Sequence, residues 1–289
     1  MASTQVLKAR IRSVKNTKQI TRAMQLVAAS KMRRAQEATR ASSPYTLAAS
    51  ELLTALSQHN SVAKHPLFLK RTVKTRLLIV IASDKGLAGA YNSNVVKAYI
   101  EQLRIDDAAK VKNITIAVGR KAARFVARIK DTEVIGVYED LPDRPDSRQL
   151  HAILDSARQK FVSGEVEAVD VIYTHFVSSI NQQARVIRVL PAGFKAAYEP
   201  GVASDALYEP SADEVLDSVA YRLVGAQIFQ TLLDARASEH SMRMIAMKNS
   251  TDNASDLADD LTLEMNKARQ GAITQELAEI SGGAEALNE

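Results

Sequence analysis

The chain has 289 residues, of which 46% are hydrophobic and 25% charged, and its net charge is +5. That length fits about two structural units, and the composition excludes wholesale disorder. The absence of cysteine excludes disulfides, thiol catalysis, iron–sulfur clusters and thiolate zinc sites, and the five histidines form no H-x-x-x-H pair of the zinc-hydrolase kind.

Residues 1–36 carry nine basic side chains and no acid, whereas residues 252–289 carry nine acids and only Lys267 and Arg269 as bases. Such segregation points to interaction surfaces, or to two segments lying side by side. The basic start lacks the apolar stretch of a signal peptide, although its composition also fits a mitochondrial transit peptide. No apolar run approaches the roughly 20 residues that span a bilayer.

In chain order, residues 3–43 read as one helix, with Ser3 or Thr4 as cap, and the pattern resumes after Pro44 to about residue 58. Leu7, Ile11, Val14, Thr17, Ile20, Met24 and Val27 form a heptad-like seam with one irregularity. The middle of the chain reads differently. Residues 76–83, 113–118, 133–138, 169–178 and 184–190 are strand-like, with helical stretches at 92–104, 120–129 and 147–162. The alternation predicts an open, mostly parallel sheet. Residues 200–210 read as an exposed loop, and a long helix follows from Ala212 to about Ile280, with a slim seam of Met247, Ala254, Leu261 and Ala268 and with Leu257 between. At 1.5 Å per residue that helix is on the order of 100 Å long and needs a partner. The predicted class is therefore α/β: an open, mostly parallel sheet domain inserted between two long terminal helices that form an antiparallel coiled coil. The expected division is 1–58, 75–195 and 211–289, the last pairing with the first.

Few residues suggest chemistry. Gly86 and Gly89 in the turn after the first strand invite a nucleotide, but the turn matches neither G-x-G-x-x-G nor G-x-x-x-x-G-K-[ST]. The alternative is a tight β-to-α turn capped by Asp84 or Asn92. The basic first helix suits nucleic acid or an acidic helix, and it lacks interleaved aromatics. Met242, Met244 and Met247 read as packing residues, and His240 as a surface histidine. No residue set reads as catalytic, metal-binding or cofactor-binding.

Several motifs together carry a resemblance. Ile11–Thr17, Ile20–Met24 and Val27–Met32 resemble the first helix of the F-type ATP synthase gamma subunit, bacterial type. Ser83–Leu87 with Gly89 and Tyr91-Asn92, Leu207–Pro210, Glu239 with Arg243-Met244, Asp252–Ala254, and the run from Asn266 through Gln270 to Ile273–Glu276, Glu279 and Gly283-Ala284 are similar to the same family. Lys18-Gln19 reverses the family's usual order, and Ala88 stands where a cysteine is common. The resemblance begins within the first few residues, which argues against a cleavable presequence.

It implies a non-catalytic central-stalk rotor that couples proton flow to ATP synthesis. The implied partners are the alpha and beta subunits of the alpha3beta3 ring, the epsilon subunit and the membrane c-ring, with no nucleic acid and no cofactor. The implied location is the cytoplasmic side of the bacterial cell membrane, as a peripheral protein. Met24, Arg243, Arg269, Gln270, Thr274 and Glu276 are implied to meet the beta subunits or brace the paired helix. Leu207, Tyr208 and Glu209 are implied to form the foot near the c-ring and epsilon.

Overall fold

The computed structural model describes residues 4–57, 65–130, 132–142, 147–192 and 212–286. In chain order the elements are α1 (Thr4–Ser57), a short 3-10 turn at Pro66–Phe68, β1 (Thr75–Ile81), α2 (Tyr91–Ala108), β2 (Lys112–Val118), α3 (Arg120–Val126), β3 (Glu133–Tyr138), α4 (Ser147–Val162), β4 (Ala168–Phe176), β5 (Gln182–Leu190) and α5 (Ala212–Ala286). The chain divides into two compact units, Met1–Val27 with Met244–Glu289, and Ala28–Arg243.

In the larger unit the five strands lie in the order β3-β2-β1-β4-β5. β1 pairs in parallel with β2 and β4, β2 pairs in parallel with β3, and β5 closes one edge antiparallel to β4. β1 is a nearly continuous apolar run because both faces of the sheet are covered. On one face Leu78, Val80 and Ile172 pack against Val95 and Tyr99 of α2 and Val126 of α3. On the other, Leu77, Ile79 and Val171 share a core with Phe161 of α4, Leu53 of α1, and Val224 and Ile228 of α5. Each fully buried aliphatic of this kind contributes about 1.5–3 kcal/mol.

α1 runs without a break through Pro44, where a break had been expected. A proline removes one amide donor and crowds the carbonyl four residues earlier. Pro44 and Arg40 both lie on the exposed side of the helix, so water can satisfy the released carbonyl.

In the smaller unit α1 and α5 pair antiparallel. The Lys18 ammonium donates to Ser255 Oγ at 2.8 Å, and the Thr251 hydroxyl donates to the Thr21 hydroxyl at 2.8 Å. The seam differs from the one expected. It steps through Leu7, Ile11, Val14, Lys18, Thr21 and Gln25, a regular 4-3-4-3-4 spacing, and on α5 through Met247, Thr251, Ala254, Ala258 and Leu261. Ile20, Val27 and Leu257 are 60%, 58% and 48% exposed. Helix geometry keeps the 3.5-residue repeat and tolerates polar residues in the seam when they find partners across it. Pairing 21 with 251 sets Thr4 opposite about residue 268, because antiparallel partners change by equal and opposite steps. Residues 271–281 are all exposed, and Ile273, Leu277 and Ile280 make an apolar ridge there.

Candidate functional site

The carboxyl edge of the sheet is where an open α/β fold places its ligand crevice, at the point where strand order reverses. Here that point lies beside β1, whose chain continuation runs through β2 and β3 on one side before returning at β4 on the other. The turn after β1 is built on backbone hydrogen bonds. Asn92 Oδ1 accepts from the Ser83 amide at 3.1 Å, and the Ser83 hydroxyl donates to Lys85 O at 2.7 Å. Leu87 and Gly89 both have positive φ, 60° and 55°. Asp84 Oδ1 accepts from the amides of Arg120 at 3.1 Å and Asp140 at 3.0 Å, so one carboxylate ties together the segments that follow β1, β2 and β3. Gly119 sits between them at φ +91°, where a Cβ would lie 2.1 Å from the Ala82 carbonyl oxygen.

α5 fills this crevice. The Arg236 guanidinium donates to Asp84 Oδ2 at 3.2 Å, to the Leu141 carbonyl at 2.6 Å and to Glu239 Oε2 at 2.9 Å. Glu239 Oε1 pairs with Arg243 at 2.8 Å, and Arg243 Nη2 also donates to the carbonyls of Lys85 at 3.1 Å and Gly86 at 3.3 Å. The four charged side chains are each 12% exposed or less, and two acids balance two bases. Burial opposes ionisation of Asp84, but its two amide donors and the neighbouring Arg236 outweigh it and hold the carboxyl below its usual value. Burial works against the charge on Arg236, and Glu239 beside it more than compensates, raising its pKa. Burial, followed by the Glu239 charge, pushes the Tyr91 hydroxyl far up, so it stays neutral beneath the cluster. The space left between this cluster and the strand ends is a void of only about 10 Å³.

The opposite flank of the same α5 segment is held by the β4–β5 hairpin. Ser238 Oγ donates to Thr174 O at 3.2 Å, Ser241 Oγ donates to Ser179 O at 2.7 Å, and Gln182 Nε2 donates to Ser241 Oγ at 3.2 Å. Ala235, Ala237, Ser238 and Ser241 are all buried, and such small side chains let the helix backbone come close to the sheet. His240 is 4% exposed, so the expectation of a surface histidine is corrected. The small residues around it draw this stretch of α5 into the body.

Two further polar clusters were not anticipated. Arg76 bridges Asp106, at 3.1 Å, and Asp170, and Arg188 also pairs with Asp170. Burial raises the Asp106 pKa against the pull of Arg76. His175 Nδ1 lies 2.6 Å from Asp234 Oδ2 at a cavity of about 450 Å³ between α1, β4–β5 and α5. Burial pushes Asp234 up, and Tyr173 beside it is pushed up to about 12, by burial first and then by the Asp234 charge. Among the described residues no group of His, Asp and Glu has the arrangement of a metal site.

The sequence-predicted residues fall in different places. Arg243 belongs to the cluster just described and braces α5 on the Lys85–Gly86 turn. Met24 is half-buried on α1, and the register sets it opposite about residue 248, roughly 30 Å along α5 from Arg269 at 1.5 Å per residue. Arg269, Gln270, Thr274 and Glu276 share one exposed stretch of α5, where the Thr274 hydroxyl donates to Gln270 O at 3.0 Å. Leu207, Tyr208 and Glu209 lie outside the described residues. Arg236 was missed, although its spacing with Glu239 and Arg243 marks one helix face among small residues.

A family model described as ATP synthase matches residues 3–287. The ATP synthase gamma chain of Desulfitobacterium hafniense is 40% identical over 289 residues, covering 99% of this chain and 100% of the relative. The chain belongs to the ATP synthase gamma-chain family. The gamma chain of Ralstonia nicotianae is 39% identical over 292 residues and is likewise covered in full (100%), together with 99% of this chain. A chain of the Euglena gracilis mitochondrial ATP synthase, in a structure containing F1 and the c-ring, shares the fold at a TM-score of 0.70 and 18% identity, covering 98% of this chain and 94% of that one. A chain of the Tetrahymena thermophila central stalk and c-ring shares it at a TM-score of 0.61 and 24% identity, covering 80% of this chain and 98% of that one.

Proposed function

We propose that this chain is the central-stalk rotor subunit of an F1Fo ATP synthase, non-catalytic by itself, which couples proton flow through the membrane sector to ATP synthesis in the alpha3beta3 ring. The observation that carries this reading is the whole-length match to gamma chains, whose two ends here form an antiparallel helix pair. Its partners are then the alpha and beta subunits, epsilon and the c-ring. Among the described residues no helix is long and apolar enough to cross a membrane. Attachment is therefore proposed to be peripheral, on the cytoplasmic face of a bacterial membrane.

The functional division follows 1–58 and 211–289 as the paired helices and 75–195 as the α/β body. The paired helices turn inside the ring, and their asymmetry biases each beta subunit among discrete states. A contact difference of about 1.4 kcal/mol already shifts a two-state population tenfold. The slim seam of Ala254 and Ala258 and the exposed ridge of Ile273, Leu277 and Ile280 suit turning in an apolar sleeve. Met24, Arg269, Gln270, Thr274 and Glu276 are assigned to the moving contact with beta, Arg243 to bracing, and Leu207, Tyr208 and Glu209 to the foot. Purification of the tagged chain from membranes tests the reading: alpha, beta, epsilon and c subunits should accompany it, and Tyr208→Cys should crosslink to c or epsilon. Recovery of the chain without alpha and beta would overturn the assignment.

A further inference from the structure

We infer that Arg236 is a positioning residue through which torque passes between the α/β body and the helix that both compact units share. This inference rests on the rotor reading. Side chains that grip a helix from more than one direction hold it against turning about its own axis. α5 meets that condition at residues 236–243. On one flank Ser238 and Ser241 are hydrogen-bonded to the β4–β5 hairpin. On the other, Arg236 and Arg243 are bonded to the turn after β1 and to the Leu141 carbonyl. The segment ends at Arg243, and the next residue, Met244, begins the smaller unit on the same uninterrupted helix.

Arg236 has the central place in this grip. It is the side chain that joins α5 to Asp84, and Asp84 is already fixed by the Arg120 and Asp140 amides. A push on α5 at Arg236 is therefore delivered to the segments that follow three strands. Glu239 ties Arg236 to Arg243, so the two arginines move together. The crevice that open α/β sheets usually offer to a ligand thus holds the shaft helix itself, with guanidinium groups against carbonyls and a carboxylate. The planar fork of arginine reaches three acceptors at fixed angles, which a lysine cannot do.

The test uses the assembled membrane enzyme carrying Arg236→Ala or Arg236→Lys. ATP hydrolysis, proton pumping against an opposing gradient, and torsional stiffness are measured; stiffness is read from the angular fluctuations of a probe on the α/β body with the ring immobilised. With Ala, stiffness should fall by about a quarter, since parallel restraints add and Arg236 supplies about half of those on one of the two flanks. Hydrolysis should be largely kept, and pumping against the gradient should fall in step with stiffness. Lys should be intermediate. Stiffness and pumping equal to the parent's would overturn the inference, whatever the melting temperature. If the Ala variant fails to assemble, Arg236→Lys decides by the same two quantities. A parent chain that never enters the complex defeats the rotor reading, whereas a coupled parent with indistinguishable Arg236 variants defeats only this inference.

Discussion

Glu239→Ala removes the acid that separates two arginines. In the parent, Glu239 is 2.9 Å from Arg236 and 2.8 Å from Arg243, with the carboxylate 4% exposed. Each charge-assisted hydrogen bond of this kind contributes about 1.5–3 kcal/mol, so two give roughly 3–6 kcal/mol. Removing one member of a buried ionic cluster independently suggests about 3–5 kcal/mol, because the partners stay buried without their counter-charge. After the change the cluster holds Arg236 and Arg243 against Asp84 alone, one positive charge in excess. For a unit of this size about 1 kcal/mol moves the unfolding midpoint by roughly 2–4 °C, so the midpoint should drop by about 6–20 °C. Glu239→Gln should also destabilise, because an amide offers one acceptor and turns a donor toward the other guanidinium. Calorimetry of the purified chain, with exposed Glu276→Ala as a control expected within about 0.5 kcal/mol of the parent, is the assay. A Glu239→Ala midpoint within about 2 °C of the parent would refute the view that this cluster holds α5 in place.

Other outcomes follow from single positions. Gly119→Ala should cost more than about 4 kcal/mol, since its Cβ would meet the Ala82 carbonyl at 2.1 Å, whereas Gly271→Ala, with open space around it, should stabilise its helix by about 0.5–1 kcal/mol; equilibrium denaturation of both variants compares them. Asp84 has a lowered carboxyl pKa, so its ionised form stabilises the fold above the usual value of 3.8, and that contribution is lost as pH falls through the lower folded value. The midpoint difference between parent and Asp84→Asn should accordingly be full at neutral pH and shrink in acid below 3.8; a pH-independent difference would contradict the sign. Arg269→Ala and Gln270→Ala, both at exposed positions, should leave stability within about 0.5 kcal/mol yet lower hydrolysis and proton-driven synthesis together in assembled membranes.

The strands and the two long helices were legible because their signals are local: RLLIVI in β1 is a short apolar run with β-branched residues, too short for a helix, and α5 runs for 75 residues. The coiled-coil seam was less legible. Apolarity at Ile20 and Val27 drew the reading off the 3.5-residue repeat, while the real seam spends Lys18 and Thr21 on hydrogen bonds across the pair. The α5 cluster was only partly legible. Asp84 or Asn92 was expected to cap backbone groups, and both do so. That Arg236 reaches the same Asp84 depends on a contact spanning 152 positions in sequence, which no local pattern encodes. His240 was misread for the same reason, since a polar residue on a long helix looks exposed until a sheet is packed against it.

Rotation of this chain inside the ring can be watched directly. With the alpha3beta3 ring fixed to a surface and a probe attached to an exposed position of the α/β body such as Ile180, ATP should drive continuous rotation in one direction. A complex that contains the chain and hydrolyses ATP at a normal rate while the probe shows only undirected fluctuation would contradict it.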